Sequence, residues 1–319
     1  MKFKQRARRW ALVGAFAVTL GMVAPSSQAY EYYPGLPDST FGNWTSTSQS
    51  GMAYTKRAKQ WFKAPAGIVT TEYVADQKSL DQTIAHWEIR AESYFVSPDG
   101  APEQFGYMEP MTVRSVGFGI MPVEATVQIS QRRRNGFPVP VPVLIKTDQY
   151  KQPDGTWDEY NREFVVEDSV NVRVLSVRVD GQDMQLNGNC RTKEPAPFRV
   201  VGPETVRRDT DANPAAEWYA KKDPETYYHP LYGGSLKGAI TIPPFTGCTT
   251  SAGDDLSRLI TLAASGPDNP MQARSGWPFS CIQLNETGSI IVPAPPGKNT
   301  PKKANCAGPQ PFEYPERDE

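Results

Sequence analysis

Apolar and polar residues alternate along much of the chain, most clearly between Thr83 and Val96. There Ala85, Trp87, Ile89 and Ala91 interleave with His86, Glu88 and Arg90. A period of two places one set on each face of a half-buried β-strand. Ile68–Val74 reads as a strand before it, and Pro98-Asp99-Gly100 as the turn after it, because proline presets its φ and glycine accepts a positive one. From Met111 onward the signals are dense: Val116, Phe118 and Ile120 alternate with small residues, and Val123–Gln131 alternates again. Asn135-Gly136 is the pair that a type I′ hairpin requires, since both central residues take positive φ. The return strand, Pro138–Thr147, carries prolines at 138, 140 and 142. Prolines two apart lie on one side of a strand and each removes a ladder donor, which predicts an edge strand guarded against aggregation.

Gln152-Pro153-Asp154-Gly155-Thr156 predicts a second hairpin turn. Phe164–Val166 and Val170–Val179 follow as two strands, then Asp180-Gly181 as a turn into Met184–Leu186. Leu236–Ile242 is a strand ended by Pro243-Pro244, which cannot donate to a ladder. Asp254 and Asp255 stand where a helix N-terminus favours negative charge, with Leu256, Leu259 and Ile260 on one face. We expect that helix to end near Ile260, and Gly266-Pro267-Asp268-Asn269 to form a type I turn. Thr55–Phe62 reads as another short helix, and Gly288–Val292 as a last strand. Short strands every 8–12 residues, punctuated by Gly, Pro and Asp, predict a mainly β fold: an antiparallel β-sandwich or a barrel-like sheet. No βαβ alternation is present.

Two stretches break the rhythm. Tyr30–Ser50 is aromatic and turn-rich with no sustained period, and Val206–Tyr232 is polar and reads as a long loop. The expected organisation is a leader over residues 1–29, an N-terminal arm over 30–66, a β-rich core over 67–292 and an extended tail over 293–319.

Composition sharpens this picture. Thirty prolines and 25 glycines among 319 residues argue against a mainly helical protein. The N-terminus carries Lys2, Lys4, Arg6, Arg8 and Arg9, then the apolar run Ala11–Val23, then small residues at Ser27 and Ala29. That succession reads as a secretory signal peptide, expected to be cleaved after Ala29, and its apolar run is shorter than the roughly 18–20 residues of a spanning helix. Its removal leaves 29 basic against 35 acidic residues, a net charge of −6, which points away from nucleic acid. Cys190, Cys248, Cys281 and Cys306 are an even number in an exported chain and so predict two disulfides. Four cysteines permit three pairings, among which the sequence does not choose; we expect Cys190–Cys248 with Cys281–Cys306. No CxxC and no nearby histidine supports zinc instead.

The equipment for catalysis is thin. His86 and His229 are the two histidines, and no G-x-S-x-G elbow accompanies either. His86 is expected to face solvent or a polar neighbour, and His229 to pack in a loop. Asp209, Asp211 and Asn213 have the spacing that opens a calcium loop, but Pro214 stands where glycine is needed and Ala220 where glutamate is needed. Glu88, Glu92, Asp254 and Asp255 are the carboxylates a glycosidase would need in pairs, and Asp254 and Asp255 already have a helix-start explanation. Arg132-Arg133-Arg134 at a hairpin tip reads as a solvated turn or a contact for an anionic envelope partner. No P-loop or dinucleotide fingerprint occurs, and no cofactor is expected. Trp44, Trp218, Tyr227 and Tyr228 are aromatics that would stack on sugars if exposed, or pack on the body if not.

Several stretches together resemble a recurring set in exported, β-rich actinobacterial proteins of uncharacterised role. They are Ile120–Thr126 (IMPVEAT), Asn189-Cys190-Arg191-Thr192, Thr241–Cys248 (TIPPFTGC), Asp254-Asp255-Leu256 and Ser265–Asn269. The resemblance spans Met111 to Cys281, rests on turn and cysteine residues, and implies a secreted envelope-associated protein without supplying an activity. The reading is thus a secreted or envelope-associated binding or structural protein whose partner is an envelope glycan, lipid or protein. An extracellular hydrolase of glycans or esters is one alternative. A subunit of a self-assembling surface structure, its arm pairing across neighbours, is another.

Overall fold

The structure is a computed structural model that describes residues 35–37, 40–41, 43–117, 121–207, 228–229 and 233–276. The expected leader, Cys281, Cys306, the strand 288–292 and the tail 293–319 lie outside the described residues. All described residues belong to one unit, Tyr32–Glu319.

The strands in chain order are β1 (Asn43–Thr55), β2 (Gln60–Leu80), β3 (Ile84–Val96), β4 (Met111–Gly117), β5 (Met121–Gln131), β6 (Arg133–Arg134), β7 (Phe137–Pro138), β8 (Val141–Lys151) and β9 (Trp157–Val179). They continue as β10 (Gln182–Asp183), β11 (Arg191–Thr192), β12 (Ala196–Val201), β13 (Thr205–Arg207), β14 (Tyr228–His229), β15 (Gly233–Ile242) and β16 (Phe245–Thr246). Helix α1 (Ser257–Ala264) and strand β17 (Gly266–Ser275) complete the described elements.

The protein is mainly β and antiparallel, as the alternation predicts. Followed in order, β1 pairs with β2, β2 with β3, β3 with β8, β8 with β9, β9 with β12, β12 with β15 and β15 with β17. Strand β17 then returns to β1. The ladder therefore closes on itself as a barrel-like ring of eight strands, each hydrogen-bonded on both edges, which removes most of the open-edge hazard. Strand β9 is the spine. One edge takes β8 along Trp157–Val166 and then β5 along Val170–Val179, while the other takes β13, β12, β11 and β10.

Directly opposed residues share a face, so the registers sort the side chains. Ile89, Ile145 and Phe164 lie in one row across β3, β8 and β9 and point into the ring, with Val200, Leu236 and Ala273 in the same buried cluster. The alternate positions His86, Arg90, Lys146, Arg162, Arg199 and Lys237 are exposed on the outside. One end of the ring is plugged by a second core of Val170, Val172, Val174, Ile240, Ile242 and Phe245, which β5 and α1 flank. The disulfide Cys190–Cys248, the expected pairing, is fully buried in this plug. A third cluster, Leu36, Tyr94 and Phe105, holds the described part of the N-terminal segment against the outside of β3.

Several expectations are corrected. Thr55–Phe62 is not a helix: β1 and β2 meet there in a hairpin with Lys59 at φ 52°, and Tyr54 packs on its ladder partner Trp61 at 5.2 Å. Asn43–Ser50, expected in an arm, is strand β1. The proline-rich return strand is not an edge, because β8 sits between β3 and β9. Only Pro142 lies inside it, opposite Glu92 of β3, one residue before the β9 ladder begins at Val143. Phe164–Val166 and Val170–Val179 are one strand, since β12 bridges the intervening residues and Arg132 pairs with Asp168. Helix α1 runs on to Ala264, and Gly266–Asn269 opens β17 instead of closing a free turn. The turn chemistry survives as a kink: Asp268 has φ 51°, Asn269 Nδ2 donates to the Gly266 carbonyl, and the β15 register shifts beside it. The turn at Asn135-Gly136, with φ of 53° and 86°, is as predicted.

Candidate functional site

The ring's interior is its most site-like feature. Inward-facing Thr71, Ala75, Ile89, Val143 and Val166 are only half-buried, although they stand beside fully buried Ile145, Phe164, Val200 and Leu236. Eight strands enclose a space just wide enough for side chains to fill or for one small ligand to occupy. On that wall Thr71 and Ala75 of β2, with Ala91 and Ser93 of β3, are small, Tyr73 stands between them on the same face opposite Ala91, and the Thr71 and Ser93 hydroxyls satisfy each other at 2.9 Å.

At the end away from the plug the inward face turns polar. Trp87 Nε1 donates to Gln149 Oε1 at 3.0 Å. Thr147 Oγ1 donates to Asn161 Oδ1 at 2.9 Å, Asn161 Nδ2 to Thr205 Oγ1 at 3.3 Å, and Thr205 Oγ1 to the Tyr228 carbonyl at 2.9 Å. His229, fully buried on β14, has Nε2 3.2 Å from Glu159 Oε1 on β9. Neither Glu159 nor Asn161 was singled out by sequence, and an alternating strand start at Trp157 is the signal that would have found them.

A second hollow, of about 640 Å³, lies outside the ring between the N-terminal segment and the β6–β7 hairpin. Thr40, Glu92, Tyr94, Arg134, Asn135 and Phe137 are among its lining residues. Behind it Glu72 stands directly opposite Glu92 in the β2–β3 ladder. Glu72 accepts the backbone N–H groups of Thr40 at 2.9 Å and Phe41 at 2.6 Å, one on each oxygen. Burial, and secondarily the Glu72 charge, push Glu92 above the usual carboxylate range. Burial and the same two carboxylates push the Tyr94 hydroxyl upward as well.

The sequence-nominated residues are scattered. His86 is exposed, with Nδ1 2.7 Å from Asp148 Oδ1. Trp44 is half-buried and packs on Tyr94 at 6.2 Å. Tyr228 is no exposed stacking platform: it is buried in the ring against Phe164, 4.2 Å between centroids. His229 lies on a short strand paired with β15 instead of packing in a loop. Glu88 is on the outer face with Lys78 and Arg90. Asp255 caps the start of α1 by accepting the Ser257 N–H, and Asp254 is exposed nearby. In the basic run, Arg132 pairs with Asp168 and Arg133 with Glu103, leaving Arg134 at the outer hollow. Trp218, Tyr227, Asp209, Asp211 and Asn213 lie outside the described residues. Among the described residues no group of three His, Cys, Asp or Glu side chains could hold a metal ion, and no helix is long and apolar enough to cross a membrane. No protein-family model, curated protein or solved structure matches the chain.

Proposed function

We propose that the chain is an exported protein of the cell envelope that binds a ligand inside its closed ring and performs no chemistry on it. The observation that carries this reading is the unsealed inner wall: Ala75, Ile89, Val143 and Val166 face inward yet keep solvent access, above a plugged end. A protein interior is normally packed to crystal-like density, so persistent access along an inner wall marks room for a guest. The basic, apolar and small-residue succession over residues 1–29 supports export.

A glycan hydrolase would need two free carboxyl groups flanking one bond. Glu72 and Glu92 face each other across the β2–β3 ladder, but both oxygens of Glu72 are engaged by the Thr40 and Phe41 amides. Closure of the ring also favours a binder over an assembly subunit, which would display unpaired strand edges. The test is to purify the mature chain from its producing cells without denaturant, extract it with organic solvent and identify what is released. One small molecule per chain is expected. An empty protein that turns over a glycan or ester library would overturn the reading.

A further inference from the structure

We propose that the outer hollow between the N-terminal segment and the β6–β7 hairpin binds a small zwitterion, its ammonium group on Glu92 and its anionic group on Arg134. This site lies outside the ring and does not depend on what the ring holds.

Both walls of the hollow are fixed in place. The hairpin is sewn to β3 through buried Gln131. Its Oε1 accepts the Phe95 N–H at 2.8 Å, while Nε2 donates to the Ser93 and Val139 carbonyls at 3.0 and 2.9 Å. The other wall, around Thr40 and Phe41, is held by the two amides whose hydrogen bonds Glu72 accepts. Fixed walls spare a ligand the cost of ordering them. The volume, about 640 Å³, falls within the ~300–1,000 Å³ of small-molecule sites.

Two opposite charges line this space, and among the described residues neither has a counter-charge. Arg132 and Arg133 pair with Asp168 and Glu103, but Arg134, exposed at the hairpin tip, pairs with no described carboxylate. Arg90, two residues from Glu92 on β3, is taken by Asp76 at 2.8 Å, and the polar contact Glu92 makes is with the Tyr94 hydroxyl at 3.5 Å. The Glu72 carboxylate stands directly opposite in the ladder. An ammonium group beside Glu92 would therefore relieve the repulsion between two carboxylates. Burial and that repulsion already hold Glu92 above the usual carboxylate range, as expected of an acid short of a cation. Apart from Thr40, Tyr94 and Asn135 the remaining lining is apolar, with Leu36, Phe137 and Pro140 among it, and suits the methylene spacer between two charged ends.

The experiment is isothermal titration calorimetry of the mature, disulfide-intact protein with glycine, 4-aminobutanoate and 6-aminohexanoate, zwitterions of increasing length. Hexylamine and hexanoate, with one charge each, are the controls. At least one zwitterion is expected to bind at one site per chain, about tenfold or more tighter than either control. Glu92→Gln and Arg134→Gln are each expected to weaken it about tenfold or more, and Lys146→Ala, outside the hollow, to leave it unchanged. Raising the pH from about 5 to about 7 ionises Glu92 and should strengthen binding in the parent more than in Glu92→Gln. A cooperative melt for each variant shows that it folds. Hexanoate binding as tightly as every zwitterion, or zwitterion binding unmoved by Glu92→Gln, would overturn the ligand class. No binding by any probe, or binding indifferent to both hollow variants, would overturn the site itself.

Discussion

Glu72 and Glu92 face each other across the β2–β3 ladder, yet only Glu72 has both carboxylate oxygens engaged by backbone amides. The other pays for the arrangement: Glu92, held above the usual carboxylate range by burial and by the Glu72 charge although the Tyr94 hydroxyl approaches it at 3.5 Å, holds its proton more tightly in the folded chain than in the unfolded one. A group with a raised folded pKa stabilises the fold at pH values below its unfolded pKa, and that contribution is lost as pH rises through the folded value. Glu92→Gln removes the titration. The variant is expected to gain stability relative to the parent as pH is raised from about 4 to about 7, the window above the ordinary carboxylate pKa. Paired thermal melts at the two pH values test this, and an unchanged difference would rule it out.

Glu72 itself acts as a clamp for the segment that precedes β1. Replacing it with alanine leaves two part-buried amides without their acceptor and frees the residues around Thr40 and Phe41. Loss of a hydrogen-bonded buried charge is expected to cost about 1.5–3 kcal/mol per bond removed. Limited proteolysis should show cleavage before Asn43 in Glu72→Ala under conditions where the parent is intact, while Glu92→Ala should not show it.

Strand β3 was legible in the sequence because its two faces differ, with Ala85, Trp87, Ile89 and Ala91 inside and His86, Glu88 and Arg90 outside. Strand β1 was illegible for the opposite reason. Thr45, Thr47 and Gln49 point inward while Ser46, Ser48 and Ser50 point outward, and the outward serines are buried too. With small polar residues on both faces there is no period-two contrast to detect. Turns with Asn-Gly or Asp-Gly were read correctly because positive φ is a local demand. Ring closure was left open between a sandwich and a barrel-like sheet, because it rests on β9 meeting β12 and β17 returning to β1, pairings that no short stretch encodes. The polar end of the interior was missed for the same reason: Glu159 and His229 come from elements far apart in the chain.

The disulfide Cys190–Cys248 closes a loop with a sequence separation of 58. On the chain-entropy argument a loop of that length stabilises the fold by about 4 kcal/mol. Both sulfurs are fully buried in the plug, so Cys190→Ser with Cys248→Ser adds an unsatisfied polar group to the entropic loss. Denaturant titration should show a lower midpoint in the double variant, with reduction of the parent producing a similar shift. A midpoint unaffected by either would show that the plug's apolar packing alone sets stability there.

Gly238 is held by its surroundings. A Cβ there would lie 1.8 Å from the Arg199 carbonyl oxygen on the neighbouring strand, whereas one at Gly67 would meet nothing within 4 Å. Gly238→Ala must therefore push β12 and β15 apart at a seam of the ring, and a loss of at least about 1–3 kcal/mol is expected. Gly67→Ala restricts the unfolded chain without a clash, so it should be neutral or stabilise by about 0.4–1 kcal/mol. Opposite shifts of the two melting temperatures are the expected outcome; equal shifts would contradict the seam geometry.

Asn161 links three elements at the polar end of the ring. It accepts from Thr147 of β8 and donates to Thr205 of β13, whose hydroxyl in turn donates to the Tyr228 carbonyl of β14. All three side chains are buried. Asn161→Leu leaves the Thr147 hydroxyl without its acceptor, a loss expected at about 1–3 kcal/mol for one buried unsatisfied group. Thr147→Val removes the same hydroxyl, so adding it to Asn161→Leu should cost less than it costs alone. The interaction energy from the four-way cycle is expected to exceed about 0.5 kcal/mol, the threshold above which neighbouring sites are coupled. Strict additivity would mean that water replaces the missing partner, and would place this end of the ring in open contact with solvent.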